Sequence, residues 1–364
     1  CEQQVRKLDK PKHVDGGTEH YWPVYRPIIL IGSAKGKRPV LKLSGSAKGF
    51  DDPSNPKNVV RVWAQTWFDA PGKEEPVWGK EQANISFNHI FRGIDIDIRG
   101  HAGAVGIRHS GSQGSAMQDV TVFAEGAYAG LNCCPGQGGG THNVEVHGGR
   151  YGIVIEPDSR FPLLNACVFK GQTEAAIRYA KGGSQVPTLL VGCRIEPAGD
   201  TAIDFTTERS YAGISLVDSV IVLKPGGVVA KTKRAENLFM ENVYVRGASA
   251  IHGGGSSLPG SPWTRVECFS SHTDQGVSLI NGVMDDGVVT RWSAAAEPDD
   301  AALRRAHYAP GPSFEEADVA NVRDFGARGD GQVDDTAAFA RAIAAHDKVF
   351  VPNGSYRLSG TLRL

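Results

Sequence analysis

The sequence lacks both a long apolar run and an excess of charge of either sign. No stretch reaches the roughly 18 consecutive apolar residues of a membrane-spanning helix, so no membrane span is predicted. The 364 residues carry 39 lysines and arginines against 40 aspartates and glutamates, a formal net charge of −1. This balance gives no electrostatic footprint for nucleic acid. Neither a membrane nor a nucleic acid is therefore expected as a partner.

Cysteine is scarce, and its spacing does not suit metal binding. None of the six cysteines forms a C-x-x-C pair, so no zinc site is predicted. The G-x-S-x-G, H-E-x-x-H and P-loop motifs are also missing from the sequence. We therefore predict no metal and no cofactor. Three cysteines lie inside apolar, strand-like runs and are predicted to be buried free thiols: Cys167, Cys193 and Cys268.

What the sequence does contain is glycine, with 45 residues, and an internal repeat. One short strand pattern recurs, and the last residues of successive copies lie 23 to 27 positions apart: Ile98, Val122, Val146, Phe169, Ile195, Val222, Val245 and Phe269. A second series has the same period, offset by roughly ten residues: Ile107, Leu131, Ile153, Ile177, Ile203, Val229 and Ile251. The chain is therefore built from repeated units that each contain at least two strands.

A repeat of about 24 residues restricts the fold class. It is too short for a propeller blade of about 40 residues, and the L-x-x-L-x-L signature of leucine-rich repeats is absent. It suits a coil whose successive turns stack by parallel strand pairing and bury one continuous core. Asparagines near these strands, Asn143, Asn165 and Asn242, are predicted to form a stacked amide ladder or to satisfy turns. The prediction is an all-β, right-handed parallel β-helix.

The C-terminal end has a different character. Residues 297–320 are rich in proline and aspartate and are predicted to be a linker. The run N-V-R-D-F-G-A-R-G-D-G-Q-V-D-D-T follows from Asn321, and a short helix is predicted over 336–345 with Phe339 and Ile343 on one face. Asp335 is its expected N-cap. The acidic residues of this run are predicted to cap the helix and close loops rather than to bind calcium, because an EF-hand ligand ladder is missing.

This C-terminal run resembles the opening of pectate-lyase-superfamily β-helix domains, which rhamnogalacturonase-like enzymes, glycoside hydrolase family 55 and some phage tailspikes share. The resemblance implies a first β-helix domain over residues 1–296 and the opening of a second domain over 321–364, cut short at the last residue. An alternative is that the last 45 residues fold back over the first coils and supply the opening in permuted order. Cys1 starts either a processed lipoprotein or a fragment, and the fragment is favoured.

Tandem β-helices are characteristic of glycoside hydrolase family 55, which attacks β-1,3-glucan. The stretch from Val105 to Gln113 resembles a V-G-I-x-W-x-x-x-Q region of that family, residues 136–139 resemble its G-S-G-G loop, and Gln172-Thr173 resembles its Q-T pair. The resemblance implies an inverting hydrolase in which Gln113 helps to position the attacking water. Gln137 stands in place of a serine in the same network. The general acid would come from the second domain.

Four further residues are candidate substrate contacts. Glu156 and Glu174 are carboxylates expected in loops beside the strands, where β-helix loops can face a substrate. His109 and Tyr128 have rings that could stack on a sugar. For all four, an ordinary solvated or packing role is the competing interpretation.

Three functions remain open from the sequence. The first is a glycoside hydrolase that acts on a neutral β-glucan, and the second is a lyase or hydrolase that acts on an acidic, pectin-like polysaccharide. The third is a non-catalytic glycan-binding β-helix of the tailspike or adhesin kind. All three have a polysaccharide as partner and suggest a secreted or cell-envelope protein. The oligomeric state is not predicted.

Overall fold

The computed structural model describes residues 12–14, 17–20, 27–33, 35–63, 65–69, 77–81, 86–136, 138–156, 161–180, 187–206, 213–232, 237–252, 256–260, 262–272, 277–311, 313 and 315–363. The chain divides into two compact units. One comprises Cys1–Ile31 with Pro39–Ala309, and the other comprises Gly32–Arg38 with Pro310–Leu364. We call these unit 1 and unit 2. In the described residues, no helix is long and apolar enough to cross a membrane.

Unit 1 is built almost entirely from strands. In chain order these are β1 Lys12–Val14, β2 Gly17–His20, β3 Ile29–Ile31, β4 Val40–Lys42, β5 Lys57–Val62, β6 Gln65–Asp69, β7 Val77–Glu81, β8 Ile90–Arg92, β9 Asp95–Asp97, β10 Ala104–His109, β11 Ala116–Ala124, β12 Ala129–Asn132, β13 Gly140–Gly148, β14 Tyr151–Ile155, β15 Leu163–Asn165, β16 Val168–Lys170, β17 Ala175–Tyr179, β18 Thr188–Val191, β19 Arg194–Glu196, β20 Thr201–Asp204, β21 Ile214–Val217, β22 Val220–Lys231, β23 Leu238–His252, β24 Trp263–Ser271, β25 Ser278–Ile280, β26 Val283–Asp285 and β27 Val289–Ala295. One α-helix follows, α1 Asp300–His307.

These strands form a right-handed parallel β-helix of about nine turns, which confirms the predicted fold. Three parallel sheets run along it, where the sequence predicted two strand series. Sheet I contains β3, β8, β15, β18, β21 and the first parts of β11, β13 and β23. Sheet II contains β4, β9, β16, β19 and later parts of β11, β13, β22 and β23. Sheet III contains β5, β10, β12, β14, β17, β20 and the ends of β22 and β23.

The corner between sheets I and II is made by one left-handed residue per coil. Five of these residues have side chains: Asp119, Asn143, Ala166, Asp218 and Asn242. The amide of Asn143 donates to Oδ1 of Asp119 at 2.7 Å, and that of Asn242 donates to Asp218 at 2.5 Å. Asn and Asp tolerate this backbone conformation better than most residues do. These are two separate Asn–Asp pairs and not the predicted stacked amide ladder, because Ala166 and Gly192 occupy the corner of the coils between them. Asn165 instead donates from its side chain to the His307 carbonyl at 2.8 Å.

The inward side chains of the three sheets form one core along the solenoid. Ile107, Leu131, Ile153, Ile177 and Ile203 from sheet III are completely buried in it. Cys133, Cys134, Cys167 and Cys193 are buried free thiols, and burial raises the pKa of Cys134 to about 12. Such thiols are unreactive at neutral pH.

The parallel stacking ends at β24. This strand runs antiparallel to β23, with Phe269 opposite Met240, and β27 runs antiparallel to β24. Assigning Phe269 to the next parallel coil was therefore wrong, because the chain reverses direction there while the hydrophobic spacing continues. Two smaller antiparallel sheets stand apart from the coils: β1, β2, β6 and β7 form one, and β25 and β26 form the other.

Helix α1 lies inside the segment 297–320 that was predicted to be a linker. That segment is therefore not irregular throughout. The side chain of Asp299 accepts a hydrogen bond from the Ala302 amide at 2.9 Å and caps the helix. Arg304 attaches the helix to the corner of sheets I and II: its guanidinium donates to Oδ1 of Asn143 at 2.9 Å and to Oε1 of Glu145 at 3.1 Å.

Unit 2 has a small core of its own around helix α2 Thr336–Ala345, the predicted span. Its other elements are β28 Ala320–Asn321, a 3₁₀ helix Val322–Phe325, β29 Asp330–Asp334, β30 Val349–Phe350 and β31 Ser355–Arg357. Phe339 is buried and Ile343 packs beside it, as expected. Strand β28 pairs in parallel with β30, and β29 with β31.

The capping of α2 differs from the prediction. Asp335 precedes the helix, but its buried carboxylate accepts from the backbone amides of Arg328 and Gly329 at 2.7 and 3.1 Å. Asp334 instead accepts from the Thr336 amide at 3.0 Å. The side chain one residue earlier therefore caps the helix, because Asp335 is used to close the preceding loop.

Replacing Arg304 with alanine should loosen α1. The change removes three charge-assisted hydrogen bonds, to Asn143, to Glu145 and to the Ala166 carbonyl, and we expect a loss of about 1–2 kcal/mol of unfolding free energy. Amide hydrogen exchange over 300–307 should accelerate. Arg305→Ala is the matched control, because Arg305 is largely exposed and lies 3.9 Å from Asp299. Equal effects of the two substitutions would contradict the proposed role of Arg304.

Acid should weaken the same attachment. Hydrogen bonding from His147 and the charge of Arg304 lower the pKa of Glu145 to about 2. A carboxylate whose pKa is lower in the folded state than in the unfolded state stabilises the fold at pH values above its unfolded-state pKa. This stabilisation is lost as the pH falls through the folded-state pKa. The difference in unfolding free energy between the natural protein and Arg304→Ala should therefore shrink between pH 5 and about pH 2 in denaturant titrations. A difference that does not change with pH would show that Glu145 is not its partner.

Candidate functional site

The outward face of sheet III carries two columns of side chains, and each coil contributes one residue to each column. In-register pairing aligns Val105, Ala129, Tyr151, Ala175 and Thr201 in one column. A second column contains Arg108, Asn132, Val154, Arg178, Asp204 and Lys231. Several members of the first column form an apolar cluster separate from the main core, with Tyr128 packed against it. We call the two columns the sheet III face.

Tyr151 is the centre of a connected network on this face. Its hydroxyl donates to Glu174 and accepts from Nη1 of Arg178 at 2.5 Å. Arg150 forms an ion pair with Glu174 at 2.6 Å and lies over the ring of Tyr128, 5.6 Å from its centroid. The rings of Tyr128 and Tyr151 meet edge to face at 5.6 Å. Charged groups and aromatic rings from adjacent coils thus hold one another in place.

The network sets the ionisation of its members. Burial tends to raise the pKa of Glu174, but hydrogen bonds from Tyr151 and Arg150 outweigh it and lower that pKa below its ordinary value. Burial and the bond to Glu174 raise the pKa of Tyr151 to about 12. At neutral pH, therefore, Glu174 is an ionised acceptor and Tyr151 is a protonated donor. Glu174 is consequently poorly suited to act as a general acid.

A cavity of about 260 Å³ opens beside this network. Its lining contains three carboxylates, two threonines and a lysine, together with one alanine: Glu174, Asp200, Asp204, Thr173, Thr201, Lys231 and Ala175. Arg178 lies 3.5 Å from Asp204 and links the cavity to Tyr151. The cavity therefore presents several hydrogen-bond acceptors and few apolar atoms.

A second polar cluster lies further along the sheet III face. Buried Arg108 donates to Oδ1 of Asn132 at 2.7 Å and to Oε2 of Glu156 at 2.5 Å. The Asn132 amide donates to the other oxygen of Glu156 at 3.0 Å. Both carboxylate oxygens of Glu156 thus accept hydrogen bonds from buried neighbours. This closed arrangement is typical of a structural ion pair.

The four predicted substrate contacts do not all lie at one site. The structure brings Glu174 and Tyr128 together and places Glu156 on the same face, in the Arg108 cluster. His109 is completely buried. Its ring therefore offers no face to a sugar, and the prediction that it stacks on substrate is corrected, because the side chain belongs to the interior.

Of the two predicted catalytic glutamines, the structure describes Gln113, which lies outside the sheet III network. Gln113 is exposed in the turn between β10 and β11, where its side-chain oxygen accepts from the Ser112 hydroxyl at 2.6 Å. Gln137 lies outside the described residues. Gln172 is buried and donates to three backbone carbonyls at 3.0–3.1 Å, so it closes a turn, while neighbouring Thr173 lines the cavity.

Several residues of the site were missed from the sequence: Arg150, Tyr151, Arg178, Asp200, Asp204 and Lys231. The spacing could have found part of this set. Arg178, Asp204 and Lys231 follow one another at 26 and 27 residues, in the same period as the core positions. Aligning the coils at polar as well as apolar positions would have placed these three in one column.

Comparison with known proteins finds similarity over short stretches of the chain. Residues 319–364 match the family model described as rhamnogalacturonase A/epimerase, pectate lyase-like. A stretch of 45 residues is 53% identical to alginate lyase 7 of Azotobacter vinelandii, covering 11% of this chain and 5% of that protein. The family match lies within unit 2, whereas the sheet III face belongs to unit 1.

Tyr151→Phe should raise the pKa of Glu174 toward its ordinary value. The substitution keeps the ring but removes a hydroxyl that donates to the Glu174 carboxylate. The measurement is a carboxyl-carbon NMR titration of glutamate-labelled protein, with Tyr128→Phe as the control that removes a neighbouring hydroxyl. An unchanged Glu174 titration in Tyr151→Phe would mean that Arg150 alone sets its ionisation.

Proposed function

We propose that the protein is carbohydrate-active and that the cavity beside Glu174 holds one residue of a polysaccharide chain. The observation that carries this proposal is the convergence of three carboxylates, two threonines and Lys231 on one cavity, with Tyr128 and Tyr151 on neighbouring coils. The family match to pectate-lyase-like proteins supports a carbohydrate ligand. A polysaccharide substrate further suggests that the protein acts outside the cytoplasm, as a secreted or cell-envelope protein.

The chemistry of the lining suits a sugar. Sugar hydroxyls both donate and accept hydrogen bonds, and ionised carboxylates accept strong charge-assisted ones. Lys231 and the Thr173 hydroxyl supply donors to the remaining sugar oxygens, whereas the Thr201 hydroxyl donates to Oδ1 of Asp200 at 2.8 Å and is left as an acceptor. Tyr128 is half-buried and its ring meets that of Tyr151 edge to face, so part of its ring remains accessible to an apolar sugar face. A few converging polar groups beside an aromatic surface are what a small-molecule site requires.

The balance of charge favours a neutral polysaccharide. Glu174, Asp200 and Asp204 outnumber Lys231 in the lining, so a uronate carboxylate placed there would meet like charges. We therefore propose hydrolysis of a neutral glycan of the β-1,3-glucan type. In an inverting mechanism one carboxylate activates water and a separate acid protonates the leaving oxygen. Ionised Glu174 can accept a proton from water, and the acid must be a different group.

A second candidate is the lyase reaction on an acidic polysaccharide. The observation that favours it is the 45-residue similarity to a protein named as an alginate lyase. Arg178 and Lys231, in one column of the sheet III face, are the cations that would neutralise uronate groups. Both cations already face Asp204, either in an ion pair or across the cavity lining. The lyase is therefore kept as the alternative.

Calorimetric titration with defined oligosaccharides tests the proposed site. We expect laminarin-type oligosaccharides to bind, and Glu174→Gln and Asp204→Asn each to weaken binding about tenfold or more, since each removes a charge-assisted hydrogen bond. Glu125→Gln is the control, because Glu125 is an exposed carboxylate outside the cavity lining. Binding that is unaffected by the first two substitutions would refute the location of the site.

Product analysis separates the two reaction classes. A hydrolase releases a new reducing end without unsaturation, whereas a lyase leaves an unsaturated sugar that absorbs in the ultraviolet. Unsaturated products from alginate or pectin, with no turnover of neutral glucan, would contradict the proposed hydrolysis and support the lyase reaction. Binding without turnover of either type of polymer would indicate a non-catalytic glycan-binding protein.

A further inference from the structure

Four buried polar groups lie at one corner of unit 1, away from the proposed glycan site. They are Oγ of Ser86, Nε2 of His89, Nε2 of His109 and Oγ of Ser110, and each has no hydrogen-bond partner in the described part of the chain. All four side chains are at most 2% exposed. A buried polar atom without a partner is costly, so four in one region require an explanation.

The four groups belong to two neighbouring turns of the solenoid. Residues 86–89 and 109–116 run side by side, and we call them the paired turns. The Ser112 amide donates to the Ser86 carbonyl at 2.6 Å, and the Ala116 amide donates to the His89 carbonyl at 2.8 Å. The His89 amide donates to Oγ of Ser115 at 3.1 Å. Backbone hydrogen bonds therefore hold the paired turns side by side, while the four side-chain atoms have no partner in the described residues.

The partners of Nδ1 fix the protonation of both imidazoles. Nδ1 of His89 accepts from the Ile28 amide at 3.0 Å, and Nδ1 of His109 accepts from the Gly111 amide at 3.2 Å. An imidazole nitrogen that accepts from an amide carries no proton, so the proton of each neutral ring is on Nε2. Burial lowers the pKa of His89 and that of His109, the latter to about 3, so both rings are neutral at physiological pH. Each Nε2 is therefore an N–H donor.

The two Nε2–H donors restrict the chemical class of ligand that can bind between the paired turns. A metal ion needs a free lone pair on nitrogen, and the Nε2 atoms present protons instead. An anion would gain no opposite charge from two neutral rings. The two serine hydroxyls can both donate and accept, so the ligand must accept from imidazoles and exchange hydrogen bonds with hydroxyls.

We propose that the paired turns enclose an internal water site, in which one or more water molecules accept hydrogen bonds from Nε2–H of His89 and His109. Ser86 and Ser110 complete the coordination. Buried waters in proteins make about three such bonds to polar groups that otherwise lack partners. The complete burial of the four side chains rules out a ligand of sugar size. This inference does not depend on the proposed glycan site.

The water site has a consequence for the predicted catalytic residue Gln113. Gln113 lies in the second of the paired turns, and its carbonyl accepts from the Asn88 amide at 3.0 Å. The water site would connect the interior side chains of both turns and so fix the segment between Ser110 and Ser115, in which Gln113 is exposed. It therefore acts as a positioning element for that loop.

Nitrogen-15 NMR of histidine-labelled protein tests the inference. Two of the eleven imidazoles should show the Nε2–H tautomer with slowly exchanging ring protons and nuclear Overhauser cross-peaks to a long-lived water signal. The variants His89→Gln and His109→Gln assign the two signals. If a variant does not fold, the spectrum of the natural protein still reports both tautomers.

Three results would overturn the water site. The first is the Nδ1–H tautomer for either ring, and the second is Nε2–H cross-peaks to protein protons alone. The third is a shift of the Nε2 resonances on addition of zinc chloride, which would indicate a metal site. Adding zinc chloride to protein with an intact water site should leave both Nε2 signals unchanged. His101, which is mostly buried beside Asp51, serves as the reference imidazole in the same spectra.

Discussion

Parallel, in-register stacking of successive coils is the constraint on which the rest of unit 1 depends. Strands about 4.8 Å apart repeat the same side-chain direction at every coil, so one residue of slippage would turn a buried column outward. The left-handed corner residues keep this register, and Asn143 and Asn242 each donate to the aspartate one coil earlier. The same repetition that stacks isoleucines inside sheet III also aligns Tyr151 with Ala175 outside it. The same in-register stacking therefore determines both the buried core and the outward surface of sheet III.

Several polar interactions of unit 1 lie at the corner between sheets I and II and on the outward face of sheet III. At these places the parallel stacking leaves backbone carbonyls or charged side chains that need hydrogen-bond partners. Helix α1 covers the corner of sheets I and II through Arg304, and the sheet III face satisfies its charges through Tyr151 and Arg178. Buried Arg108 is balanced by Glu156. The proposed cavity differs from these closed clusters, because Asp200 and Asp204 line a space that a ligand can enter. That difference is why the cavity, and not the Arg108 cluster, is proposed as the site.

The period of about 24 residues, together with the missing leucine-rich-repeat signature, was enough to predict the fold, because burial of inward side chains at every coil imposes a repeat on the sequence. It did not reveal sheet I, whose strands are as short as three residues, such as Leu163–Asn165. It also misplaced Phe269, since spacing does not record chain direction. For the site, His109 shares the inward side of its strand with Ile107, so alternation should have placed it inside. It was proposed as a substrate contact only because its ring could stack on a sugar. Glu174 was found, but Arg178 was missed because only apolar positions were aligned.

The central claim is that the sheet III face binds a polysaccharide at the cavity beside Glu174. A crystal structure of the whole chain with a bound neutral oligosaccharide tests this claim most directly. We expect one sugar ring in the cavity, with hydroxyls bonded to Glu174 and Asp204 and another sugar near Tyr128. An oligosaccharide bound only elsewhere, for example against residues 319–364 alone, would contradict the claim.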